Sequence, residues 1–390
     1  MNTERLYYND AYMDTFSATV CSCEPAGEVY AVVLDRTAFY PEGGGQPSDI
    51  GFIDEAEVSF VKEKGEAICH YTKEPLPVGK NVIGRLDWAH RFDLMQQHSG
   101  EHMLSGLVCA TRHCDNVGFH LGSDRVTIDF NTMLSDEELV ALERTANEMI
   151  WKNIPVHVLY PSREELAGID YRSKKELSGQ VRLVEYPGID LCACCGTHVA
   201  FTGEVGLIKI VSRQKHKGGI RMEIVCGNRA LQYVSRIMDE NSAVSVALSA
   251  KPTETSAAVL RLLAEQKVMK ERLAGLEAAA FTAKAKALRD AGDVLIVETH
   301  MSVESVRRLA NEVTETCGGL CCVLSDNGPD GIRYAMGCAE GDLRALTKEL
   351  NEQFAGRGGG KPGFVQGTLR GNCEEVVKAL LAMRPGVKPV

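Results

Sequence analysis

The 390-residue sequence predicts an α+β fold in four parts: a small β-barrel-like domain over residues 1–87, an α+β core over 88–240, a helical coiled-coil linker over 241–291 and a small α/β domain over 292–390. Three observations predict it. Up to residue 87, short β-branched runs alternate with turn residues; at Trp88 the apolar spacing becomes helical; and from Val259 onward apolar residues recur at alternating steps of three and four.

In the first part, Val29-Tyr-Ala-Val-Val-Leu34, Gly51-Phe-Ile-Asp54 and Val58-Ser-Phe-Val61 read as strands between turns. Gly43, Gly44 and Gly45 stand together, followed by Gln46. One glycine suffices for a turn, so three predict a ligand-facing loop, with a strained hairpin as the alternative. Residues 93–108 predict a helix with Leu94, Met95, Met103, Leu104, Leu107 and Val108 on its buried face. Val126-Thr-Ile-Asp-Phe130 reads as a strand, and Ser135-Asp-Glu-Glu138 opens a helix running past Met149. Further strands are expected at 156–160, 181–185 and 206–212.

Residues 254–289 carry the heptad seam, with Val259, Leu262, Gln266, Met269, Leu273 and Leu276 fading into Ala280, Ala283 and Ala287. This predicts a long helix or short antiparallel coiled coil between Pro252 and Gly292. Beyond it, strands at 294–297, 320–324 and 333–336 alternate with helical stretches, which makes a small α/β domain ending in Gly356-Arg-Gly-Gly-Gly-Lys-Pro-Gly363.

With 44% hydrophobic and 25% charged residues, the chain is ordinary globular material. No apolar stretch reaches the roughly 18–20 residues that span a bilayer, and the first residues lack a basic-then-apolar signal pattern, so no membrane partner and a cytoplasmic protein are expected. The fourteen cysteines fall in irregular clusters and read as reduced thiols. A net charge of −10 argues against a surface wholly built for nucleic acid. It leaves room for a local track: Arg172, Lys174, Lys175 and Arg182 gather in one segment, and Arg213, Lys215, Lys217 and Arg221 in another. Each is also compatible with a solvated face.

Two phrases carry the chemistry: His98-Ser-Gly-Glu-His102 and Cys194-Cys-Gly-Thr-His198. On a helix, His98 and His102 share one face, so both imidazoles can point at one cation. Adding Cys194 and His198 makes a set of three imidazoles and a thiolate, which suits one tetrahedral Zn2+ per chain better than a hard or redox metal. Cys192 and Cys195 are competing thiolates. His98-x-x-Glu-His102 also matches the inverted zincin pattern, which requires a downstream carboxylate ligand and an open fourth position; this chain offers Cys194 and His198 instead. Four protein ligands are also what a structural zinc looks like, and spacing leaves structure and catalysis open.

These phrases, the latter inside Cys-Cys-Gly-Thr-His-Val199, resemble the editing domain of alanyl-tRNA synthetases and their free-standing AlaX-type relatives. Thr37-Ala-Phe-Tyr-Pro-Glu-Gly-Gly-Gly-Gln-Pro-Ser-Asp49 is similar to the glycine-rich segment ahead of that family's editing core, and Gly219-Ile-Arg-Met-Glu-Ile-Val-Cys-Gly227 to its closing strand. Gly356-Arg-Gly-Gly-Gly-Lys-Pro362 resembles the signature of the synthetase C-terminal domain. Only about 35 residues precede the glycine-rich segment, so the resemblance implies a long-form free-standing editor without aminoacylation activity.

The resemblance implies hydrolysis of mischarged tRNA(Ala), Ser-tRNA(Ala) first and Gly-tRNA(Ala) second, because a pocket built for alanine rejects serine and glycine poorly. A zinc-stabilised tRNA-binding factor, or an editor of another mischarged tRNA such as Ser-tRNA(Thr), are the alternatives. Gln46 becomes a candidate for the aminoacyl group, as do the backbone amides of Gly43, Gly44 and Gly45; Glu101 and Thr197 become candidates for orienting water or a ligand. Arg213, Lys215, Lys217 and Arg221, with Arg357 and Lys361 of the C-terminal domain, become candidates for tRNA phosphates. The coiled coil and C-terminal domain are candidates for homodimer contacts.

Overall fold

The computed structural model describes residues 2–173 and 180–390; Lys174 and Lys175 of the first basic cluster lie outside the described residues. The chain divides into two compact units, Met1–Ala243 and Val244–Val390.

In the first unit, six strands close on themselves in the order Thr15–Ala26, Val29–Leu34, Ala67–Thr72, Ala56–Lys64, Gly51–Ile53 and Asn81–Leu86. Period-two alternation sets the faces: Val82, Gly84 and Leu86 are buried while Asn81, Ile83 and Arg85 face out. Val20, Val32, Leu34, Ile53, Val58, Val61 and Ile68 fill the interior.

The glycine-rich segment makes a two-residue turn. Gly43 and Gln46 exchange both backbone hydrogen bonds, at 3.1 and 3.0 Å, around Gly44 at φ +60° and Gly45 at φ +86°. Two successive left-handed residues are what a tight hairpin of this kind demands. The turn is pressed onto the strand Asn116–Leu121: Leu121 N–H donates to the Gly45 carbonyl at 3.1 Å, and a Cβ on Gly45 would lie 2.7 Å from the Phe119 ring. Gln46 is thereby turned inward and buried.

The helix Trp88–Arg112 follows the barrel directly, capped by the Asp87 carboxylate accepting from His90 N–H. Leu94, Met95, Met103, Leu104 and Val108 join Ile128, Met222 and Ile224 in one core. The sheet on this core has the order Ile208–His216, Gly219–Cys226, Val126–Phe130, Asn116–Leu121. A second helix, Asp136–Trp151, starts at a Ser135/Glu138 capping box. A three-stranded sheet orders His157–Leu159, Leu183–Tyr186 and Asp190–Ala193. At Gly106 a Cβ would lie 2.3 Å from the Ile189 carbonyl, so glycine lets the strand that starts at Asp190 approach the helix backbone. The helix Gly227–Ala247 begins where the last strand ends, and the boundary expected at residue 240 falls inside it.

In the second unit, the strands Arg357–Lys361, Phe364–Leu369, Ile332–Cys338, Gly318–Asp326, Gly292–Thr299 and Lys388–Pro389 form one sheet in that order. The glycine run expected to end the domain is its edge strand, and the helix Cys373–Met383 follows. The long helix Thr255–Ala287 buries Phe281 and Ala285 against Val306, Leu309 and Val313 of the helix Val303–Cys317. Its seam residues Leu262, Met269, Leu273 and Leu276 are exposed, so a long helix is present and its apolar stripe faces outward. Among the described residues, no helix is long and apolar enough to cross a membrane.

Candidate functional site

His98 and His102 lie one turn apart on the helix Trp88–Arg112, and the turn after the strand Asp190–Ala193 brings Cys194 and His198 to them. One donor atom from each of the four lies within 4.8 Å of the others. Cys194 Sγ is 3.5 Å from His98 Nε2 and 3.3 Å from His198 Nε2. Tetrahedral zinc, with Zn–S near 2.3 Å and Zn–N near 2.0 Å, separates such donors by roughly 3.5 Å. The donor set therefore fits one zinc ion.

Each imidazole is held from its outer side. Gln46 Oε1 accepts from the Thr197 backbone N–H at 3.3 Å, which identifies it as the oxygen, and it accepts His98 Nδ1–H at 2.8 Å. Asp190 Oδ2 lies 2.9 Å from His102 Nδ1, and a carboxylate can only accept there. The Tyr186 hydroxyl lies 3.0 Å from His198 Nδ1, with Ser99 Oγ at 3.4 Å. With Nδ1 of all three imidazoles engaged outward, all three Nε2 atoms face inward, the arrangement metal-ligating histidines adopt.

The electrostatics favour a thiolate at Cys194. Burial alone would raise the Cys194 thiol, yet His98, His198 and His102 hold it well below its ordinary value. Burial, with His98 beside it, pushes His198 down to about 3. For His102, burial opposes charge, but the Cys194 thiolate and Asp190 outweigh it and lift the group to about 9. Cys195 is exposed, with Tyr8 as a neighbour, and burial pushes Cys192 up to about 12. Cys192 belongs instead to a second triad with His102 and Asp190, whose donor atoms also lie within 4.8 Å of one another.

The remaining candidates divide. Gln46, Glu101 and Thr197 are buried with the ligands. Gln46 Nε2–H donates to Thr197 Oγ1 at 2.9 Å, so both are tied to the His98 imidazole and the ligand turn. Glu101 Oε1 accepts from Ser105 Oγ at 2.7 Å and Asn116 Nδ2 at 2.6 Å, and its Oε2 lies 4.0 Å from His102 Nε2. Gly43–Gly45 shape the turn that carries Gln46. Arg213, Lys215, Lys217 and Arg221 lie on the hairpin of Ile208–His216 and Gly219–Cys226; Arg213 pairs with Asp136 and Arg221 with Asp129, while Lys215 and Lys217 are exposed. Arg357 and Lys361 end the exposed edge strand of the second unit.

Sequence reasoning missed the groups that hold the candidate ligands, Asp190, Tyr186 and Ser99, and Asn116, which holds Glu101. Asp190 alone left a signal, as an acid set between Ile189 and Leu191. Arg172, read as part of a basic cluster, turns inward and grips Asp190 through Nε and Nη2 at 2.6 and 2.7 Å. A cavity of about 660 Å³ lies against this pair, lined also by Cys109, Cys114, Asn116 and Tyr171.

Residues 6–90 match the family described as class II (A) tRNA synthetases, and residues 181–223 the second additional domain of threonyl and alanyl tRNA synthetases. Over 384 residues the chain is 30% identical to alanyl-tRNA editing protein Aarsd1 of Mus musculus, covering 93% of each chain. It is 30% identical to Aarsd1-B of Xenopus laevis over 92% of each. Alanine–tRNA ligase of Ignicoccus hospitalis is 30% identical over 97% of this chain and 42% of the ligase. The glycine-rich segment falls in the first matched region and the Cys194/His198 turn in the second, and with full-length likeness to Aarsd1 they decide the assignment: the chain belongs to the family of alanyl-tRNA editing proteins.

Proposed function

We propose that this protein is a zinc-dependent aminoacyl-tRNA deacylase that hydrolyses mischarged tRNA(Ala), Ser-tRNA(Ala) before Gly-tRNA(Ala), in the cytoplasm. The observation that carries the reading is the convergence of His98, His102, Cys194 and His198 with each imidazole braced from outside, in a chain of this family. When bound, zinc supplies a Lewis-acid centre for the ester or an anchor for the substrate's amine or ribose. Gln46 and Thr197 fix His98, and Gly43–Gly45 hold Gln46 in place. Glu101, anchored by Ser105 and Asn116, presents Oε2 on the Nε2 side of His102, where it would orient the attacking water and take its proton. Lys215 and Lys217 would meet tRNA phosphates, as would Arg357 and Lys361. The exposed seam of Thr255–Ala287 would pair with a second copy.

The test is deacylation of purified Ser-tRNA(Ala), Gly-tRNA(Ala) and Ser-tRNA(Thr) by the zinc-loaded full chain. Release of serine from tRNA(Ala), abolished by His102→Ala, is expected. Zinc bound with no release above the uncatalysed rate would replace this reading with a tRNA-binding factor, and release from tRNA(Thr) alone with a threonyl editor.

A further inference from the structure

We propose that Arg172 is a positioning residue for the metal centre, acting through Asp190 on His102; this rests on the zinc reading above. Arg172 lies in a segment whose composition suggested an RNA-facing cluster, yet its side chain is only 20% exposed. Its fork takes both oxygens of Asp190, Nε on Oδ1 at 2.6 Å and Nη2 on Oδ2 at 2.7 Å. Oδ2 also receives His102 Nδ1–H at 2.9 Å. A lysine offers a point charge and cannot span both oxygens in this way.

The chain of contacts fixes two things. It holds the Asp190 carboxylate, itself 1% exposed, in the plane where it accepts from Nδ1, and so keeps His102 Nε2 aimed at Cys194 and the other candidate ligands. It also places a cation on Asp190, which keeps the second triad of His102, Asp190 and Cys192 from competing as a metal site. Without Arg172, Asp190 would be a buried carboxylate lacking both its countercharge and its two fixed donors, free to turn out of that plane and release His102 Nδ1. The backbone role of Arg172 is separate: its N–H donates to Leu191 and its carbonyl accepts from Ala193, and both bonds survive a side-chain change.

The test is zinc affinity of the full chain, measured by competition with a chromogenic chelator. Arg172→Gln should weaken zinc binding by about 10–100-fold. Arg172→Lys should recover part of that loss. Arg172→Gln combined with Asp190→Asn should lose no more than Asp190→Asn alone, because both act along one path. Circular dichroism checks that each variant folds, and if Arg172→Gln fails that check, Arg172→Lys decides, an affinity equal to wild type counting against the proposal. Wild-type affinity in Arg172→Gln, or losses that add in the double variant, overturns it. A wild-type chain that binds no zinc overturns the functional reading instead, a separate result.

Discussion

The glycine-rich segment is tied to the histidine helix by one buried ion pair, and cutting it should be costly. Arg91 and Asp49 are both fully buried. Arg91 Nε lies 2.9 and 3.0 Å from the two Asp49 oxygens, and Nη1 and Nη2 donate to the carbonyls of Ala11 and Ala38 at 2.8 and 2.6 Å. Arg91→Met leaves Asp49 buried without a countercharge and two carbonyls without donors. Removing one partner of a buried pair costs about 3–5 kcal/mol, and the orphaned carbonyls put this site near the upper end. For a unit the size of Met1–Ala243 that corresponds to a fall of roughly 10–20 °C in Tm. Asp49→Asn should fall less, since the amide oxygen still accepts. Arg91→Met with Asp49→Leu should regain much of the loss, because an apolar pair needs no solvation. Differential scanning calorimetry of the single and double variants measures this. A folded Arg91→Met chain whose Tm drops by less than about 3 °C would refute the reasoning.

Three other outcomes follow from separate features. Gly45→Ala meets both a positive φ and the Phe119 ring, which stacks on His98 at 5.1 Å, so it should lower deacylation and zinc affinity; Gly44→Ala meets only open space and a φ cost of roughly 1–2 kcal/mol. Equal kinetic effects at the two positions would remove the argument for Gly45. His70 is buried in the barrel, with Nε2 2.8 Å from Thr37 Oγ1 and Nδ1 3.1 Å from the Val32 carbonyl, and burial depresses it to about 4. Because its folded value lies below the unfolded one near 6.5, its contribution is complete above pH 6.5 and is lost as pH falls toward 4, by roughly 3 kcal/mol in all. Urea titrations at several pH values should show that loss, and His70→Gln should flatten it; an unchanged slope in the variant would assign the acid lability elsewhere. Leu273→Asp in the exposed seam should turn a dimer into a monomer in sedimentation equilibrium; a wild-type chain that is monomeric at every concentration would remove the dimer reading.

The parts of this molecule that are legible in its sequence are those set by local period or by residue chemistry. The helix through His98 and His102, the capping box at Ser135 and the strands at 126–130 and 320–324 declare themselves through spacing and caps that neighbours alone determine. The four candidate ligands are legible because few side chains suit a soft cation, and the structure brings these four together. The Gly43–Gly45 run is half legible: glycine marks a special backbone, but a hairpin pressed on Phe119 and a loop open to a ligand use the same letters. The same ambiguity returns in the second unit, where Gly358, Gly359 and Gly360 read as the end of a domain and form an edge strand. Arg172 misleads because composition counts charge without direction.

What spacing could not disclose is the outer ring, since its contacts are long in sequence. Gln46 reaches His98 across 52 residues and Thr197 across 151, and Asp190 reaches His102 across 88. Beyond the acid set between Ile189 and Leu191, no local pattern marks these contacts, because each depends on a close approach made elsewhere: Gly45 on Phe119, Gly106 on Ile189, Arg91 on Asp49. The three braces come from three different places, the glycine-rich turn, the strand Asp190–Ala193 and the strand Leu183–Tyr186. Loosening any one frees one imidazole while the other three ligands stay held. Substitutions in the braces should therefore grade zinc affinity, whereas substitutions of His98, His102, Cys194 or His198 should abolish it, and that difference would separate a positioning group from a ligand.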